Sequence, residues 1–537
     1  MRQVDAVIVG AGFAGLYMLH RMRGLGLVAQ VIEAAEDVGG TWYWNRYPGA
    51  RCDVESMQYS FSFDEALQQE WRWSERFAAQ PEILRYAQHV ADRFGLRRDI
   101  RFATRVTAAA FDEAADRWTI RTDRGEPLSA RFLVMATGCL SAARLPDIPG
   151  RDGFAGRVFH TGRWPHAPVD FTGRRVGIIG TGSSAIQSIP VIAEQAAHLT
   201  VFQRTPNFSI PSRNRPMDEA YEASWKSRYA ERRAHARTLR TGIDYPLNPL
   251  SALEVDEETR RREYEARWAA GGTAFMAAFS DLLLDAAANA TAADFVRAKI
   301  RAIVRDPATA EALCPRDHPI GTKRICVDTD YYATFNRPNV TLVDLRASPI
   351  EAITPSGLRT AAGEHAFDDL VFATGFDAMT GALLGVDITG RGGATLRESW
   401  AAGPVAHLGL MVGGFPNMFA ITGPGSPSVL SNMMVSIEQH VDFVAGLLAH
   451  MRAQGLASVE PSAEAQAHWV RHAREVADRT LYPRAGSWYM GANIPGKPRV
   501  FMPYVGGVGT YRAICDGIAA RGYEGFVFAP PRAAAAE

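Results

Sequence analysis

Residues 154–165 read FAGRVFHTGRWP, and they lie between two signals of the form strand, glycine turn, helix. The first is VDAVIVGAGFAG, from Val4 to Gly15, and the second is RVGIIGTGSSAIQ, from Arg175 to Gln187. In each, an apolar β-prone run meets glycines and passes into a helix. Gly10 and Gly12 permit the tight turn and let backbone approach a pyrophosphate at the helix N-terminus, while Gly15 lets helix and strand pack closely and Ala14 sits between them. Gly180 and Gly182 repeat the pattern with Ala185 in the third place, a substitution the pattern admits. Two such units predict an α/β fold with two Rossmann-like dinucleotide-binding domains.

The far ends of the second strands separate the two units. VAQVIEA ends on Glu33, 18 residues past Gly15, where a carboxylate can accept hydrogen bonds from ribose hydroxyls. LTVFQRT instead ends in Arg204 and Thr205. An arginine there favours a 2′-phosphate through a charge-assisted contact, the plainer reading being a solvated arginine at a strand end.

A chain of 537 residues has room for two or three domains and large cofactors. Basic and acidic residues number 58 each, so no global field draws nucleic acid or an anionic membrane. No apolar run reaches the ~18 residues a membrane span requires, and the N-terminus passes at once into a strand, so a cytoplasmic protein is expected. The five cysteines are scattered without a CxxC pair, which argues against a disulfide reductase. No HExxH or Cys/His cluster suggests a metal. From 215 to 314 the pattern turns to charged helical segments, read as an insertion with solvated faces. The alanine-rich end PPRAAAAE is expected to be disordered.

Phe154, Gly156, His160, Trp164 and Pro165 spell FxGxxxHxxxWP, and on these residues the chain resembles the Baeyer–Villiger monooxygenases. Further runs, among them GGTWYWNRYPGARCD (Gly39–Asp53), RFLVMATG, GPGSPS and ANIPGKPRVFMP, extend the resemblance over nearly the whole chain, nearest the phenylacetone and steroid monooxygenase branch. The resemblance implies FAD and NADPH as cofactors, molecular oxygen and an aryl, cyclic or bulky ketone as substrates, and esters or lactones as products. The implied route runs through a C4a-peroxyflavin and a Criegee intermediate. It also implies a monomer, an FAD domain of residues 1–140 and 376–537, an NADPH domain of 141–214 and 315–375, and the insertion between them.

Carried over residue by residue, the resemblance makes Arg324 the catalytic arginine, a fixed cation for a peroxide anion, and Asp53 the acid that holds it. Thr41, Trp42, Tyr43, Trp44, Arg51, Cys52, Tyr59, Val106 and Met433 fall on the FAD side, though Tyr43 and Trp44 read equally well as a packed loop. Thr181, Ser183, Ser184, Ile186 and Gln187 would cradle NADPH, Lys323 would join Arg204 at the 2′-phosphate, and Trp488 would cover the nicotinamide. Ser428, Val429 and Leu430 would wall the substrate pocket. His160 is expected in the connection between domains, away from either glycine turn, as a hinge or hydrogen-bonding anchor rather than an acid–base catalyst. Two rivals remain: a flavin S- or N-oxygenase, and a non-catalytic NADPH/FAD sensor.

Overall fold

The computed structural model describes residues 1–531; of the alanine-rich end at 530–537, for which disorder is expected, 532–537 lie outside the described residues. Arg2–Val9 is flanked in parallel by Ala29–Ile32 and Leu128–Met135 at the centre of an eight-stranded sheet. Outward from Leu128–Met135 run Arg117–Thr122, Val106–Asp112 and Asp387–Thr389, and Met418–Ala420 also pairs with Leu128–Met135. The central strands are buried on both faces, which is why they read as unbroken apolar runs. The helices Phe13–Gly24 and Met433–Ala453 cover one face.

A second, all-parallel sheet has the order Val340–Asp344, His198–Gln203, Arg175–Ile179, Asp369–Phe372, Arg157–His160. Both sheets combine strands from distant parts of the chain, which leaves the first after residue 135 and rejoins it at 387. The stretch 154–165 differs from expectation. It is no free connection: Arg157–His160 forms the edge strand of the second sheet, followed by a short 3-10 turn at Thr161–Arg163. Nor does it lie away from the glycine turns, because Thr161 Oγ1 is 3.0 Å from Ser184 Oγ in the first turn of the second glycine-turn helix.

Between His198–Gln203 and Val340–Asp344 of the second sheet lies the helical insertion, with Glu219–Lys226, Tyr229–Ala236, Glu257–Ala270, Ala286–Ile303 and Pro307–Leu313. Four of these helices start after an aspartate (Asp218, Asp256, Asp285, Asp306) whose side chain accepts a backbone N–H of the first turn, each cap contributing about 1 kcal/mol. No helix among the described residues is long and apolar enough to cross a membrane.

Candidate active site

The glycine-turn helices Phe13–Gly24 and Ser183–Gln195 are built differently from the insertion helices. Each begins after a glycine, with no side-chain cap and no acidic residue in its first turn. Their first N–H groups therefore remain available to an anion. Gly10 has φ +106° and Gly180 +119°, and a Cβ would meet Ala136 O at 2.6 Å and Ala373 O at 2.4 Å respectively, so both positions demand glycine. A Cβ on Gly15 would lie 1.9 Å from Gly10 O, the close helix–strand approach expected of it.

At the first turn, Ala14 and the helix behind it are buried. Gly39 N donates to Ala11 O at 3.0 Å, and Gly40 lies against Gly12, so that the GGTWYW run covers the turn. Buried Glu33 accepts Ala11 N at 2.6 Å through Oε2 and Ala35 N at 2.7 Å through Oε1. Each carboxylate oxygen keeps a lone pair for a ribose hydroxyl. Burial raises the pKa of Glu33, and the two backbone donors oppose that. Uncapped helix, glycine cradle and anchored acid together fit the adenosine diphosphate half of FAD.

The second turn fits a second dinucleotide. Gly182 faces open space, and Thr181 Oγ1 donates to Thr205 O at 2.8 Å, fastening the Arg204–Thr205 strand end to the turn. Ser183 Oγ lies 3.2 Å from Cys326 Sγ, while Ala185 and Ile186 are core residues. Gln187 is engaged otherwise than a phosphate cradle would need: its amide accepts from Tyr47 Oη at 2.9 Å and donates to Arg51 O at 3.1 Å, bridging the two sheets' domains. Arg204 is exposed, Lys323 is half-buried, and among the described residues neither has an ion pair.

Arg324 and Asp53, 271 residues apart in sequence, form an ion pair, with Asp53 closing the run that covers the first turn and Arg324 two residues before Cys326, which faces Ser183 of the second. Arg324 Nε donates to Asp53 Oδ2 and Nη2 to Oδ1, both at 2.8 Å, and Nη1 donates to Val429 O at 2.7 Å. Of the five N–H groups of a guanidinium, two stay unspent. Burial works against the charge of Arg324, but Asp53 outweighs it and holds the pKa above the ordinary arginine value. The bidentate contact also gives Asp53 the cationic partner that its aromatic, glycine-rich surroundings require.

The remaining expected residues spread around this pair. Thr41–Trp44 is a single helical turn rather than a loop; Trp42 and Tyr43 are buried, and Trp42 Nε1 donates to Tyr59 Oη at 3.1 Å. Arg51 turns its guanidinium to Glu75 and Phe77 O. Cys52 is buried and its thiol pKa is pushed up by that burial. Val106 is core at the start of its strand, and Met433 opens the helix Met433–Ala453. Fully buried Ser428 has an Oγ without a partner among the described residues; Val429 is buried, and Leu430 packs beside Trp488 in one apolar cluster. Trp488 lies 4.1 Å from the ring of Tyr489.

His160 is a hydrogen-bonding anchor in geometry. Its Nδ1 accepts Gly162 N at 3.0 Å, so the proton sits on Nε2, which faces Arg144 O at 3.2 Å. Burial lowers its pKa and favours this neutral form. Trp164 is buried and stacks on Phe159 at 5.1 Å, Phe154 is half-buried, Pro165 is exposed, and a Cβ on Gly156 would meet Asp368 O at 2.4 Å. Sequence reasoning missed Tyr489, buried within reach of the Arg324 charge, and the carbonyl of Val429 as an Arg324 acceptor. Only the proximity of Tyr489 to Trp488 in the chain could have suggested the former.

Two uncapped glycine turns, each opening a helix after a parallel strand, and a carboxylate-held arginine define a two-dinucleotide-domain oxidoreductase. A family described as pyridine nucleotide-disulphide oxidoreductase matches residues 7–232. A Baeyer–Villiger monooxygenase of Pseudooceanicola batsensis is 44% identical over 97% of this chain and 96% of that protein. Phenazine N-monooxygenase PhzNO1 of Lysobacter antibioticus is 44% identical over the same shares. A solved structure of an oxidized steroid monooxygenase bound to NADP has 56% identity and a TM-score of 0.94, covering 98% of this chain and 100% of that one. The chain belongs to the Baeyer–Villiger monooxygenase family.

Proposed function

We propose that this protein uses NADPH and molecular oxygen, with FAD bound at the Gly10–Gly15 turn, to insert one oxygen atom beside the carbonyl of a ketone, giving an ester or lactone. The observation that carries the reading is Arg324, bidentate to Asp53 and with two N–H donors left over, between the two glycine turns. Bound FAD, reduced by NADPH, supplies the activation of dioxygen. Glu33 holds the ribose at the first turn, and the uncapped N-terminus of Phe13–Gly24 receives the pyrophosphate. Arg324 offers a permanent positive charge to the negative oxygen that forms in the cleft, a stabilisation of about 3 kcal/mol. Asp53 fixes the plane of the guanidinium, and Val429 O fixes its remaining edge. Val429 and Leu430, with Trp488 and Tyr489, supply an apolar wall against water, and Ser428 adds a buried hydroxyl beside it.

In this reading the FAD domain comprises 1–140 and 376–537, the NADPH domain 141–214 and 315–375, and 215–314 is the insertion. The protein works as a monomer in the cytoplasm, where NADPH is supplied. Solved neighbours include FAD and NADP complexes, and relatives are named for acetone, cyclohexanone and steroid oxidation. The test supplies NADPH and isotopically labelled dioxygen with acetone, cyclohexanone, phenylacetone and a ketosteroid. One labelled oxygen in an ester or lactone supports the reading; NADPH consumption that yields only hydrogen peroxide with every ketone overturns it. The relative named phenazine N-monooxygenase favours heteroatom oxygenation as a second reading, and a phenazine arm that alone gives labelled product would select it.

A further inference from the structure

We infer that Arg346 is a third cation for the 2′-phosphate of NADPH, acting with Arg204 and Lys323 to set the choice of NADPH over NADH. This rests on the reading of the Gly180–Gly182 turn as the NADPH site. Val340–Asp344 pairs in parallel with His198–Gln203, with Asp344 opposite Gln203. Beyond that pair Leu345 N donates to Gln203 O at 2.8 Å, so the two chains leave the sheet side by side. Arg204 and Arg346 therefore emerge next to each other. They do so at the carboxyl end of the parallel strands, where Gly180 N donates to Phe202 O at 3.0 Å and where open α/β sheets bind their ligands.

Lys323 completes the group. Burial lowers its pKa first, the Asp317 carboxylate opposes that, and the charges of Arg204 and Arg346 lower it, which places all three cations within electrostatic reach. Two carboxylates lie near the group, and among the described residues neither accepts a hydrogen bond from its side-chain nitrogens. Asp317, the carboxylate acting on Lys323, is 2.7 Å from His318 Nδ1. Asp344 Oδ1 accepts the backbone N of Arg346 at 2.9 Å and lies 3.9 Å from its Nε, beyond hydrogen-bond range. The three cations repel one another at the exposed strand end, one positive charge in excess of the two carboxylates. A phosphate monoester, nearly a dianion at neutral pH with three acceptor oxygens, turns that repulsion into attraction, and the 2′-phosphate is the one such group that distinguishes NADPH from NADH.

The test is calorimetric titration of the oxidised, FAD-loaded enzyme with NADP⁺ and with NAD⁺, in wild type, Arg346→Ala and Arg346→Lys. Arg346→Ala is expected to weaken NADP⁺ binding about tenfold, which is about 1.4 kcal/mol, and to leave NAD⁺ binding within about twofold. Arg346→Lys keeps a charge at the site and should recover most of the loss. NADP⁺ affinity unchanged in Arg346→Ala overturns the inference, and so does an equal weakening of both nucleotides, which marks a structural role. A wild type that binds NADP⁺ no more tightly than NAD⁺ overturns the NADPH reading itself. The two failures are thereby told apart.

Discussion

Replacing Arg324 by lysine keeps the charge and removes the geometry. The guanidinium spends Nε and Nη2 on the two oxygens of Asp53 and one Nη1 proton on Val429 O, and keeps one donor on each terminal nitrogen. A lysine ammonium has three donors on one atom. Placed to bond Asp53 it lies away from Val429 O, and it cannot direct two parallel N–H groups toward an oxygen in the cleft. Loss of one well-placed donor to a developing oxyanion costs about 100- to 1,000-fold in rate, or about 3–4 kcal/mol. The assay follows ester formation, NADPH oxidation and hydrogen peroxide together, with FAD content checked for each preparation. Arg324→Lys is expected to lower ester formation by about 100-fold or more while the electrons of NADPH still reach oxygen and appear as peroxide. Ester formation near the wild-type rate, with wild-type coupling, would refute the geometric argument and leave charge alone as the requirement.

Three further outcomes are expected. In Glu33→Gln one amide group turns a donor toward Ala11 N or Ala35 N, so FAD should be released at least about tenfold more readily on dilution, read by flavin fluorescence; unaltered retention would count against Glu33 as the anchor. Lys497 donates to Asp377 Oδ1 at 2.5 Å and to Ala378 O at 2.8 Å, with its side chain 9% exposed. Lys497→Met should lower the thermal midpoint, and its effect should fail to add to that of Asp377→Asn; full additivity would show the pair to be uncoupled. Burial pushes the Asp328 carboxyl up to about 6. Raised above the unfolded value of 3.8, it contributes stability that is complete below that value and is lost as pH rises to about 6, up to about 3 kcal/mol. Asp328→Asn should flatten this part of the denaturation profile, and parallel profiles for wild type and variant would contradict the shift.

What the chain discloses in one dimension is what local backbone chemistry dictates. Gly10, Gly15 and Gly180 occupy positions where a Cβ has no room, and such constraints survive in any tertiary setting. Glu33 was legible for the same reason, as the end of a strand whose length fixes where its carboxylate must stand. The stretch at 154–165 shows the limit. Its place between two glycine-turn units makes it read as a connection, but Arg157–His160 is an edge strand held by a single neighbour that comes 212 residues later. No local signal carries that pairing. Gln187 makes the same point within the site: its place in the glycine-turn helix suggests a phosphate contact, whereas Tyr47 and Arg51 claim both ends of its amide from another domain. Side chains at such crossings answer to two parts of the chain at once, so position within one motif underdetermines them. Arg324 is the instructive exception. Its role could be assigned through resemblance, but the two donors left over for chemistry were visible only once Asp53 and Val429 had taken the others.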